Sequence, residues 1–102
     1  MTVKLTVVYD NPTDPEAFEQ HYNSVHKPMV GTLQSVQRVE LAKVFPKEDG
    51  SPTPAYRVAD LYFADYGTAV AALSSEQGQA LAKDAMQLGQ AGVKFLLCDI
   101  ES

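Results

Sequence analysis

Tryptophan is absent from this sequence, cysteine occurs once, and bases are the minority charge, with 8 Lys and Arg against 13 Asp and Glu in 102 residues. Each shortage excludes something. Cys98 stands alone and cannot close an internal disulfide, so the fold cannot depend on oxidation and a cytoplasmic setting is expected. The acidic balance, with no lysine or arginine run, argues against a nucleic-acid or anionic-membrane partner. No apolar stretch approaches the roughly 20 residues that cross a bilayer. Met1 to Asp10 lacks the apolar segment of a signal peptide. No linker, low-complexity tract or sequence repeat divides the chain. Also missing are G-x-G-x-x-G, a P-loop, G-x-S-x-G and H-E-x-x-H, so nothing calls for a nucleotide, a flavin or a metal, and no cofactor is expected.

What is present is a globular composition, 45% hydrophobic and 21% charged, which excludes disorder. One domain over 1–102 is expected at this length. Val3 to Tyr9 alternates as a strand and stops at Asn11-Pro12. Asp14-Pro15 opens a helix, Asp14 as N-cap and Pro15 in the first turn. Phe18, Tyr22, Val25 and Met29 follow helical spacing and should face the sheet. Pro28 should end or kink that helix near His26. Val36 to Phe45 and Ala55 to Phe63 read as a long hairpin around a proline-rich turn containing Asp49-Gly50. A short helix from Asp65 to Leu73 follows. A longer helix runs from Ser75 to Leu88, with Ser74 and Gln77 resembling a capping box. Val93 to Ile100 is the last strand.

The order is βαββαβ, an α+β chain in the ferredoxin-like arrangement of a four-stranded antiparallel sheet with helices on one face. Both faces of that sheet carry large apolar residues. Val8, Val58, Tyr62, Leu96, Cys98 and Ile100 lie on sets opposite to Val7, Leu61, Phe63, Phe95 and Leu97. Helices for only one face imply a second chain on the other, and hence a homodimer joined sheet to sheet.

The stretch Val8-Tyr9, Asp14-Pro15, Ala17-Phe18, His21-Tyr22, His26 and Pro28 resembles the EthD family signature. So do Tyr56-Arg57-Val58-Ala59-Asp60-Leu61-Tyr62-Phe63, Ala71-Ala72-Leu73-Ser74-Ser75, Gly78-Gln79-Ala80 and Ala91-Gly92-Val93. The resemblance spans nearly the whole chain. It implies a dimeric α/β barrel, in a superfamily that includes cyclases, isomerases, decarboxylases and cofactor-free monooxygenases. Its family name comes from an association with fuel-ether degradation and is not itself a reaction. This chain departs in three places. Gln34-Ser35-Val36 stands where relatives often read Pro-Gly-Leu, Asp60 where they usually carry glutamate, and Ser75-Glu76-Gln77-Gly78 where they usually read Ser-Pro-Glu-Gly.

Two histidines are the first chemical candidates. His21 and His26 are five apart, about 140° around an α-helix, so they should not converge and a metal pair is rejected. His26, near the helix end, suits a general acid or a donor to a ligand oxygen, and the plain alternative is a capping histidine beside Pro28. The resemblance favours His26, where the His-x-Pro match sits. Asp60 is central in a strand, between Val58 and Tyr62, and is read either as a base beside a tyrosine-lined pocket or as an interface pair. Tyr56 and Tyr62 are expected on its face, and Arg57 on the other. Tyr9 and Tyr22 fall on inward positions and suit the wall of a small aromatic pocket. Cys98 reads as an inert buried thiol. The catalytic candidates are therefore His26, Asp60 and Tyr22, and the ligand-binding candidates Tyr9, His21, Tyr56 and Tyr62. Together they suggest binding, and conversion without a cofactor, of a small hydrophobic, aromatic or polyketide-like molecule in a catabolic or biosynthetic pathway. The competing reading is a non-catalytic binding or accessory protein.

Overall fold

Alternation in β1 (Val3–Tyr9) decides which way the sheet faces. The computed structural model describes residues 2–101, so Met1 and Ser102, the ends of the expected domain, lie outside the described residues. β1 is a central strand of an antiparallel sheet ordered β2-β3-β1-β4, with β2 Arg38–Lys43, β3 Arg57–Phe63 and β4 Val93–Asp99. Val3, Leu5, Val7 and Tyr9 stand opposite Phe63, Leu61, Ala59 and Arg57. Directly opposed residues share a face, and all eight are buried. The hairpin strands are shorter than the expected Val36 to Phe45 and Ala55 to Phe63. Three prolines in the intervening loop withhold backbone donors, and Phe45 is left in solvent.

The buried face is covered by α1 (Pro15–His21), a π-helical turn (Tyr22–His26), α2 (Lys27–Val30), α3 (Tyr66–Ser74) and α4 (Glu76–Leu88). Their starts follow from local side chains. The Asp14 carboxylate accepts from the Ala17 N–H, and Asp65 accepts from the Thr68 N–H. The α4 cap is Ser75, not the expected Ser74. Ser75 sits at the break between α3 and α4, where its Oγ accepts from the Gly78 N–H and donates to the Ala72 carbonyl. Gly78 permits this junction, because a Cβ there would lie 2.3 Å from the Ala72 oxygen.

The first helical segment departs most from expectation. It neither ends nor breaks at His26, and it carries on to Val30. The Lys27 N–H reaches back five residues to the Tyr22 carbonyl, so the turn is wider than an α turn. Pro28 explains the position of this turn. In a regular helix its ring would press on the Ser24 carbonyl, four residues back. Asn23 and Ser24 support the widening by donating from their side chains to the Glu19 and Gln20 carbonyls. The extra residue slips the inward stripe by one. Phe18 and Tyr22 face the sheet as expected, but His26 and Val30 follow them inside, while Val25 is 42% exposed.

The opposite sheet face carries Lys4, Thr6, Val8, Val58, Asp60, Tyr62, Leu96 and Cys98, together with Arg38 and Glu40 from β2. It is apolar along Val8, Val58 and Leu96 and charged elsewhere. No helix of the described residues is long and apolar enough to cross a membrane.

Ser35, at the position where the resembling family often has glycine, holds a left-handed φ of 70°. A side chain is disfavoured there by about 1–2 kcal/mol, and glycine gives part of that back through its freer unfolded chain. Ser35→Gly should therefore raise unfolding stability by up to about 1 kcal/mol. The measurement is the urea midpoint at unchanged slope.

Candidate functional site

Small residues on facing surfaces leave space between sheet and helices. Ala59 in β3 looks toward Gly78, Ala82 and Ala85 of α4 across a cavity of about 230 Å³. Its floor is one row across all four strands, Leu41, Ala59, Val7 and Phe95. The walls are aliphatic, and among the described residues the polar side chains lining it are Tyr9, Tyr22 and His26. For scale, an engineered apolar cavity of about 150 Å³ binds benzene.

The polar end is a chain of hydrogen bonds. His26 Nδ1 lies 2.8 Å from Asp84 Oδ2, and His21 Nε2 lies 2.8 Å from Asp84 Oδ1. Tyr9 Oη lies 3.3 Å from His26 Nε2. Burial raises the Asp84 carboxyl, but the donors from His21 and His26 outweigh it and hold the group below its usual range. Asp84 is therefore a carboxylate and only accepts, so both imidazole nitrogens facing it carry hydrogen. In the neutral imidazole that leaves His26 Nε2 as the acceptor, to which the Tyr9 O–H donates. Burial, Tyr22 and the Asp84 charge together hold the Tyr9 phenol well above its usual range, so it keeps its proton. The Tyr22 ring stacks on His26 and Phe18, and its buried hydroxyl has no hydrogen-bond partner among the described residues. Burial also raises the Tyr22 phenol, against the opposing pull of Arg57.

A second cluster closes this end. Arg57 donates through Nε and Nη2 to the two Glu19 carboxylate oxygens at 3.0 and 2.8 Å, and Tyr56 donates to Glu19 Oε2 at 2.9 Å. The guanidinium also lies 4.4 Å from the Tyr22 ring centroid. The Arg57 hydrogen bonds pull the Glu19 carboxyl down to about 2.

The structure gathers Tyr9, Tyr22, His21 and His26 and separates the other candidates. His21 and His26 do converge, on one carboxylate, because the π-helical turn removes the α-helical angle between them. Among the described residues no group of three or more His, Cys, Asp or Glu could hold a metal ion. His21 lines an open cleft with Asp14, Phe18 and Leu88, away from the inner cavity. Asp60 does not join His26 and Tyr22. Strand alternation puts it on the far face of the sheet, where the Thr6 hydroxyl donates to it and Lys4 lies 3.5 Å away. Tyr62 is on that face too, donating to Glu40 at 2.8 Å. Tyr56 is not, because it precedes β3 and turns its ring edge onto Phe18 on the helical side. Asp84 went unrecognised in the sequence. Its signal was a lone acid one turn from the apolar Leu81 and beside Ala85, on the inward stripe of α4.

A four-stranded antiparallel sheet with one helical layer, and a cavity between them, defines a small ferredoxin-like protein. Within that class the chain belongs to the EthD domain family, whose model matches residues 10–88. An uncharacterized 11.0 kDa protein in the thcB-thcC intergenic region of Rhodococcus erythropolis is 39% identical over 99 residues, covering 97% of this chain and 95% of that one. The crystal structure of an EthD family protein from Bacillus halodurans superposes with a TM-score of 0.90 at 24% identity, over 99% of this chain and all of that one. SnoaB of Streptomyces nogalater, a cofactor-independent oxygenase, superposes with a TM-score of 0.69 at 15% identity, over 99% and 94%. These two likenesses establish the fold.

The Glu19–Arg57 pair has a definite pH signature. A carboxyl lowered on folding stabilises the native state above its unfolded value, and that contribution disappears as pH falls through the folded value. Acid titration of stability should show a loss from about pH 4.5 down to about 2. Glu19→Gln should flatten this interval and, by leaving Arg57 buried without its partner, cost about 2 kcal/mol or more at neutral pH. Urea unfolding across the pH range measures both effects.

Proposed function

We propose that this EthD-domain protein binds a small hydrophobic, aromatic or polyketide-like molecule in the inner cavity and transforms it by acid–base chemistry without a cofactor. The observation that carries this reading is a single imidazole nitrogen turned away from Asp84, His26 Nε2, at the polar end of an otherwise apolar cavity. In the neutral ring such a nitrogen can accept a proton, with the carboxylate behind it to stabilise the cation that forms. Apolar walls offer a ligand proton few competing acceptors. In the proposed step a ligand O–H or activated C–H gives its proton to the Tyr9 oxygen while the Tyr9 proton passes to His26 Nε2. The imidazolium that forms is stabilised by Asp84, and the ligand is left as an enolate or phenolate. The unpartnered Tyr22 hydroxyl is the donor we assign to that oxyanion. SnoaB, of the same fold, is a cofactor-independent oxygenase, which supports a cofactor-free reading of this chain.

We further propose a cytoplasmic homodimer that buries the open sheet face. Val8, Val58 and Leu96 would supply its apolar centre, and the Lys4–Asp60 and Arg38–Glu40 pairs its polar frame. Asp60 then belongs to the interface and not to the acid–base site.

Native mass spectrometry of the purified protein is the first test, expected to give a dimer that retains a small molecule. Ala59→Leu, which fills the cavity floor without touching the polar network, should abolish retention while leaving the dimer intact. His26→Ala should keep binding and lower turnover of the retained molecule by about 10²-fold or more. Unchanged turnover in His26→Ala would sink the acid–base reading and leave a binding protein.

A further inference from the structure

His21 lies outside the inner cavity, yet it holds the carboxylate that holds His26. We infer that His21 is a positioning residue for His26. By donating to Asp84 Oδ1 it fixes the carboxylate plane, so that Oδ2 keeps the proton of His26 on Nδ1 and leaves Nε2 bare toward Tyr9 and the cavity.

Three observations lead here. First, both histidine contacts to Asp84 are short, 2.8 Å each, and they use different oxygens of one carboxylate, so neither ring can rotate without releasing a bond. Second, Asp84 is buried and these two imidazoles are the side-chain partners it has among the described residues. Losing one would leave a carboxylate oxygen unsatisfied, or filled by water, and its orientation free. Third, the backbone is rearranged to make the meeting possible. An α-helix would point these rings about 140° apart, and the π-helical turn lies between them.

The positions of the two rings differ in a way that matters. The side chain of His26 is 7% exposed and that of His21 38%. His21 therefore meets bulk solvent in the outer cleft, while His26 does not. The bond from His21 to Asp84 survives protonation of its ring, because the Nε2–H is present in both forms. The other titratable or charged groups around the network are Tyr9 from β1, Tyr22 and Lys27 from the helix of His26, Asp14 at the outer cleft, and the mutually paired Glu19 and Arg57. Of these only Tyr9 hydrogen-bonds to either imidazole.

This inference rests on the acid–base reading for its consequence only. The geometry it asserts is readable with no substrate. The experiment is ¹⁵N NMR of the imidazoles in the full-length protein, followed through a pH titration. In the wild type, His26 should show the Nδ1–H form over the Nε2–H form by about tenfold or more. His21→Ala should cut that preference several-fold. His21→Gln, whose amide N–H can still donate to Asp84, should restore the Nδ1–H form. Asp84→Asn should remove the preference in either background.

If His21→Ala leaves the His26 form unchanged while Asp84→Asn alters it, His21 holds no position and the inference is wrong. A wild-type His26 in the Nε2–H form overturns it as well. Should His21→Ala not fold, His21→Gln decides alone, and loss of the Nδ1–H form there counts against the inference. Unchanged turnover in His26→Ala, with the tautomer as expected here, would overturn only the acid–base reading.

Discussion

One carboxylate on α4 organises the polar end of the cavity in this molecule. Asp84 is buried, and an uncompensated charge there would be costly. Both of its oxygens must find donors, and the two histidines of the first helical segment supply them. That requirement ties α4 to the opposite end of the helical layer. It also fixes the azimuth of the first helical segment, and with it the stacking of Phe18, Tyr22 and His26 over Tyr9. The aromatic cluster and the cavity end are thus positioned by an electrostatic demand more than by apolar packing.

The cavity itself has a different origin. Where most sheet-to-helix contacts place large side chains on both sides, here the centre is Ala59 facing Gly78, Ala82 and Ala85. The glycine is also demanded by the α3–α4 junction, where a Cβ would strike the Ala72 carbonyl. A void lined by aliphatic groups is not favourably filled by water. Its retention lowers stability relative to a filled core.

Much of the fold was legible in the sequence because it rests on short-range signals. Strand alternation placed β1 and β3, and Asp14, Pro15 and Asp65 marked helix starts through hydrogen bonds that span three residues. The two-faced sheet followed from the same alternation. The chemistry was less legible because it depends on phase. A fixed turn of 3.6 residues put Val25 inside and drove the histidines apart, and nothing in that periodicity reports a widened turn. Pro28 was the available clue, but it signals a break as readily as a π-helical turn. Asp84 was hidden because it and its partners are 58 and 63 residues apart, a distance that no local pattern spans. Asp60 misled for the opposite reason. Its place on a central strand was correct, but centrality does not say which of two faces holds the cavity.

The widened turn also bears on how such chains should be compared. It accommodates one residue more than a regular helix of the same axial length, so Phe18, Tyr22, His26 and Val30 repeat at intervals of four. A relative shortened by one residue between Phe18 and Val30 would align well on either side of a single gap inside a helix. Its imidazole would then point to solvent, even though every residue type had been kept.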